Sequence, residues 1–212
     1  MKKSIFVIFF LIVISTDVAF SHKLISHDDD HRDFDSALLI SDHKISWAIY
    51  ENLGTNEAKF YTFDAKQGDS FYASIVVPKI EGLENYSPTL VLMKENNSNI
   101  QKIIYEKGFP GNEFYEPFGQ VTYWERQELK TKIPDDGKYF IIVTDEKNQS
   151  GKYSLAVGTI EDFSGENMLT LLPKAWLDTK LFVNDYVSIG LLFGIIFMLL
   201  TITIIIIMKK KL

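Results

Sequence analysis

The chain has 212 residues, 22 basic and 28 acidic side chains, a net charge of −6 and no cysteine. The missing thiols exclude disulfides, thiolate metal sites, a cysteine nucleophile and a lipidated cysteine anchor together. Residues 22–183 hold 17 basic and 26 acidic side chains, a balance of −9 that argues against nucleic acid or anionic lipid as partner.

Residues 1–21 open with Lys2 and Lys3, continue with the unbroken apolar run Ile5–Ile14, and end in Ala19-Phe20-Ser21. A basic start, a short apolar stretch and small residues at −3 and −1 predict a signal peptide cleaved after Ser21. The mature chain would then begin at His22. Residues 22–43 contain all four histidines, His22, His27, His31 and His43, with Asp28, Asp29 and Asp30 between the middle two. Their first half shows neither strand nor helix periodicity and reads as a flexible leader, with Ala37–Ile40 touching the domain that follows.

From residue 44 to 160 the pattern is that of strands. Trp47 and Ile49 share a face; Phe60 and Thr62 alternate with Tyr61 and Phe63, so both faces of that strand look covered. Phe71, Ala73, Ile75 and Val77 follow at period two after a Gly68-Asp69 turn. Runs at 89–93, 102–105, 120–124 and 126–131 precede the clearest pair, 138–144 and 152–158, where Tyr139, Ile141 and Val143 match Tyr153, Leu155 and Val157. Eight or nine short strands without a helix predict an all-β antiparallel sandwich or jelly roll. With no disulfide, such a domain depends on its hydrophobic core, for which this length is sufficient.

Residues 161–186 change to helix-like apolar spacing through Met168, Leu172, Trp176 and Leu181, interrupted by Pro173. This predicts an amphipathic juxtamembrane segment, on the bilayer or against the sandwich. Residues 187–208 carry no charge and are followed by Lys209, Lys210 and Lys211. A helix of that length covers roughly 33 Å, enough for one membrane span. The lysines place the tail 209–212 in the cytoplasm and the domain outside, at the cell membrane. Gly190 and Gly194 match a small-residue helix-contact motif that recurs in many spans.

The strand, Gly-Asp turn and strand in AKFYTFDAKQGDSFYASI resemble the opening of bacterial pre-peptidase C-terminal domains. The closing Gly137-Lys138-Tyr139 and Gly151-Lys152-Tyr153-Ser154-Leu155 are similar to their final hairpin. The likeness covers about residues 45–160. WAIYENLG, VPKIEGLENYSPTLVLM and NEFYEPFG look like segments of uncharacterised membrane-anchored prokaryotic surface proteins. The resemblance implies a β-sandwich with a C-terminal anchor and a non-catalytic role in secretion or polymer binding. Fold alone does not carry that role over.

Three groups of residues are candidate sites. Phe109, Phe114, Tyr115 and Phe118 lie in a long loop, 106–119, and suit protein or glycan recognition, so the chain would serve a membrane-protein complex through its transmembrane helix or an envelope glycan through this loop. The alternative is that they fold back over one end of the sandwich. A mature His22 would offer an amine and an imidazole to Cu(II), with His27, His31 or His43 completing the set, which resembles the histidine brace of copper proteins. The His27–His31 cluster would hold Zn2+ or Cu2+ only loosely, and copper capture or delivery through His22 is the rival to a binding or accessory module that requires no cofactor. Asn85, Asn96 and Asn148 head glycosylation sequons in predicted loops. Asp135-Asp136-Gly137 reads as a turn, and Glu113 and Glu116 as solvated carboxylates. No G-x-S-x-G, P-loop, HExxH or dinucleotide fingerprint occurs, so no catalytic residue is assigned and no enzyme is expected.

Overall fold

The computed structural model describes residues 22–25, 30–96, 99–106 and 111–211. The signal-peptide reading of 1–21, and His27 and Phe109, lie outside them. Eleven strands form two sheets among the described residues. The larger sheet contains β1 (Lys23–Ile25), β3 (Trp47–Leu53), β11 (Gly151–Val157), β5 (Ser70–Pro78), β9 (Val121–Lys132) and β8 (Glu113–Glu116), in that order. The smaller runs β2 (Leu38–Leu39), β4 (Ala58–Ala65), β10 (Gly137–Thr144), β6 (Thr89–Asn96) and β7 (Asn99–Glu106). All pairings are antiparallel except β1 with β3 and β2 with β4.

The period-two residues make the core. Phe71, Ala73, Ile75 and Val77 of β5, with Tyr153, Leu155 and Val157 of the neighbouring β11, face Tyr61 and Phe63 of β4 and Tyr139, Ile141 and Val143 of β10 across the sandwich, all buried. Burying a large apolar side chain contributes roughly 1.5–3 kcal/mol, so two interleaved sheet faces hold the domain without disulfides. Gly158 leaves β11 at φ +77°, where an added Cβ would stand 2.1 Å from the Ile45 carbonyl oxygen.

The structure corrects three expectations. The described part of the leader is not loose: His31 and His43 are buried and Phe34 packs edge-on against Phe60 and Phe140, while Ile40, in the stretch expected to touch the domain, is in the core. His31, Phe34 and His43 enter singly, between turns, so no periodicity marked them; Phe34 covers the outer face of β4 at Phe60. The runs 120–124 and 126–131 are one strand, β9, bent where its register with β5 shifts at Ile75/Val76. The segment expected as the loop 106–119 contains β8, an edge strand on β9.

Two helices end the chain, α1 (Met168–Phe182) and α2 (Tyr186–Lys211). Residues Tyr186–Lys209 of α2 are long and apolar enough to cross a membrane, with mean hydropathy 3.0. Of the two places open to the juxtamembrane segment, α1 takes the one against the sandwich.

Candidate functional site

Asn167 caps α1 by accepting a hydrogen bond from the Leu169 backbone N–H. Ala175, Thr179 and Phe182, at i, i+4 and i+7, are its buried stripe and face the larger sheet. The Thr179 hydroxyl donates to the Ala175 carbonyl at 2.8 Å, so it accepts from the Tyr50 phenol, also 2.8 Å away. Phe182 stacks on Tyr50 with ring centres 4.4 Å apart and planes 4° from parallel. Gly119 permits this approach, since a Cβ there would lie 2.5 Å from the Thr179 methyl. Burial beside the Glu116 carboxylate pushes the Tyr50 and Tyr123 phenols above their ordinary range.

Three charged groups then tie α1 to both its neighbours. Lys152 of β11 donates to the Phe182 carbonyl at 2.7 Å and to Asn184 Oδ1 at 2.8 Å, which places a cation on the C-terminal end of α1. The buried Lys180 donates to Asp185 Oδ2 at 2.8 Å. Asp185 in turn caps α2, accepting from the Ser188 backbone N–H at 3.1 Å and its hydroxyl at 2.7 Å. The Lys180 and Ser188 hydrogen bonds hold the Asp185 carboxyl down at about 2. Lys152, Lys180 and Asp185 therefore form a clasp between the larger sheet and α2.

The aromatic group expected at 106–119 divides. Phe114 and Tyr115 lie on β8, 40 % and 57 % exposed, at the edge of the larger sheet. Phe118 is half-buried and turns with Glu116 toward Thr179 and Tyr50, where they and His22 enclose a small cavity of about 40 Å3. The Glu116 carboxylate accepts from the Phe118 and Gly119 backbone N–H groups at 2.7 and 2.6 Å, closing the turn rather than lying solvated. Glu113 forms an ion pair with Lys79 at 2.5 Å.

The described histidines are dispersed. His22 is exposed at its backbone, but its ring turns inward and meets Ser46 Oγ at 2.5 Å through Nδ1; burial lowers its pKa. His31 is wholly buried, with Nδ1 donating to the Phe60 carbonyl at 2.9 Å and Nε2 2.6 Å from Glu51 Oε1. Because a carbonyl can only accept, Nδ1 carries a hydrogen, and one further proton lies between Nε2 and the carboxylate. Both nitrogens are thus committed. His43 lies buried against Phe63, with Phe71 farther away, and its Nε2 is 3.7 Å from Asp69 Oδ2. Among the described residues no three His, Asp or Glu side chains are grouped as metal ligands. The sequons at Asn85 and Asn148 head exposed turns, whereas Asn96 ends β6. Asp135 and Asp136 form a bend that leads into β10 at Gly137, and Asp136 Oδ1 accepts from the Gln67 N–H at 2.6 Å.

Sequence reasoning missed Lys152, Lys180 and Asp185. The only signal for the last two was a cation and an anion on either side of the break before an apolar span.

No protein-family model matches the chain, and no curated protein sequence does. Among solved structures, it is similar to the pre-peptidase C-terminal domain of collagenase from Bacillus anthracis, at 20 % identity and TM-score 0.36, over 56 % of this chain and 91 % of that one. PliG, a periplasmic inhibitor of g-type lysozyme from Salmonella Typhimurium, is 16 % identical at TM-score 0.34, over 57 % and 97 %. CorA, a surface-associated copper-binding protein of Methylomicrobium album BG8, is 8 % identical at TM-score 0.31, over 67 % and 99 %. The resemblance read from residues 45–160 and the observed fold agree on a β-sandwich, and a pre-peptidase C-terminal domain stands among its structural neighbours.

Proposed function

We propose that the chain is a membrane-anchored, extracytoplasmic, non-catalytic module that serves a membrane-embedded partner protein. One observation carries this reading: the clasp of Lys152, Lys180 and Asp185 joins the larger sheet to the root of the span. The same strand ends hold β8, because β8 pairs with Val121–Trp124, and Val121 and Tyr123 pack with Phe182 and Val183 just before α2. Phe114 and Tyr115 are thereby presented beside the membrane root, where a partner's extracytoplasmic surface would stand. Aromatic anchors at a sheet edge suit such a contact. The basic tail supports an outside orientation for the sandwich. Its buried ionisable groups act as struts, as His31 and Glu51 do, which favours a binding role over catalysis.

The test is the size of the complex that contains the full chain, measured on native gels of its own membranes. The reading expects a discrete complex that Phe114→Ser with Tyr115→Ser releases to the free chain at unchanged thermal stability. A wild-type chain that already migrates alone, or a complex indifferent to both substitutions, refutes it.

A further inference from the structure

At the other end of the larger sheet lies a cleft of about 590 Å3, within the range of roughly 300–1,000 Å3 usual for small-molecule sites. Its floor is the outer face of β5 and β9, where Ser70 pairs with Lys132 and Tyr72 with Lys130. Its wall is Thr159 and Ile160, with Lys44 at the rim. The wall is preformed: Gly158 N–H donates to the Tyr72 carbonyl at 3.0 Å, and Thr159 and Ile160 both donate to Lys44 O, at 3.0 and 2.9 Å.

Three lysines and no carboxylate line this cleft, whereas residues 22–183 as a whole carry a balance of −9. Lys44 lies 3.7 Å from Asp69, and Lys130 pairs with Glu128, but both pairs are at the surface. Such pairs are worth about 0–1 kcal/mol and yield readily to a competing anion. The hydroxyls of Ser70 and Thr159 stand among the ammonium groups, and Ile160, 54 % exposed, offers an apolar patch opposite the half-buried Tyr72. A bare phosphate is served best by converging free backbone N–H groups. Here the N–H groups of residues 158–160 are already spent on carbonyls.

We propose that this cleft binds a carboxylate-bearing saccharide, a short segment of an acidic polysaccharide outside the membrane. The lysines take the carboxylates, the hydroxyls take the sugar hydroxyls, and Ile160 and Tyr72 flank the C–H faces of the rings. The inference rests on the reading of the chain as a binding module and adds a second ligand, at the strand ends opposite the clasp.

The experiment is calorimetric titration of the full chain in phosphatidylcholine nanodiscs with tetragalacturonate, maltotetraose and inorganic triphosphate. Tetragalacturonate should bind, and weaken with added salt, while neutral maltotetraose gives no saturation. Lys130→Gln with Lys132→Gln should weaken binding at least tenfold, and Ile160→Glu on the facing wall should do the same. Absent binding of tetragalacturonate, affinity unchanged in these variants, or triphosphate binding as tightly as the saccharide overturns the proposal. The titration uses the purified chain without its partner protein, so its failure is separable from that of the Tyr115-dependent complex.

Discussion

His31 and Glu51 form the most demanding polar contact in the core, a buried imidazole and a buried carboxylate 2.6 Å apart, with Lys59 Nζ 3.9 Å from the second oxygen. Removing one partner strands the other, at a cost of about 3–5 kcal/mol. His31→Ala should therefore lower the urea midpoint strongly. Combining it with Glu51→Leu should cost less than the two separate losses together; full additivity would show that the pair is not coupled. His43 makes a different forecast. Burial lowers its pKa against the opposing pull of Asp69 and Asp42, with Lys44 adding to the fall; His22 is lowered as well. For both, the unfolded chain takes the proton first as pH drops below 6.5. Stability is then complete above that pH and declines as pH falls toward the native values. Asp69 and Asp185, both depressed, add a second loss below 3.8. Urea melts across pH 7 to 4 should show the first decline, and His43→Phe should flatten it; an unchanged slope contradicts the assignment. His22 also gives the copper reading its test. Chelation of Cu(II) requires Nδ1 to leave Ser46, so a metal-binding chain should lose Cu(II) affinity on His22→Ala and gain it on Ser46→Ala.

Among the elements, α1 decides how the domain meets its anchor. Gly119→Val should push the helix off the sheet, because a side chain there collides with Thr179. The measurable result is rapid proteolysis within residues 160–185 with the sandwich left folded; equal resistance to wild type would mean that α1 does not depend on that approach. Lys180→Met should cost about 2 kcal/mol, the scale of a charged hydrogen bond, and loosen the α2 cap through Asp185. The strands were legible wherever alternation was clean: β5, β10 and β11 carry their buried residues at the expected positions. β8 was hidden because EFYE is an edge strand with no apolar alternation and exposed aromatics. The described leader residues were hidden for another reason. Phe34 and His43 each fill one gap, and isolated plugs leave no period in the sequence. The clasp was invisible because its partners sit on a strand, a helix and a linker.

For the molecule as a whole, the span was legible from hydropathy and the sandwich from its strands, whereas the relation between them required the structure. The clasp and β8 occupy one set of strand ends, and the saccharide cleft occupies the other. β9 alone runs 12 residues between them, roughly 40 Å at full extension. On the two proposals, one end of the domain meets a membrane partner and the other the surrounding envelope. The most direct test is spin-label depth in the full chain reconstituted in nanodiscs, with one label at Tyr115 and another at Lys66, in the turn after β4. Relaxation by paramagnetic lipid headgroups should place Tyr115 near the bilayer and Lys66 on the order of 20 Å or more farther out. Equal relaxation at the two labels, or a nearer Lys66, would contradict anchoring by the β8–β9 end.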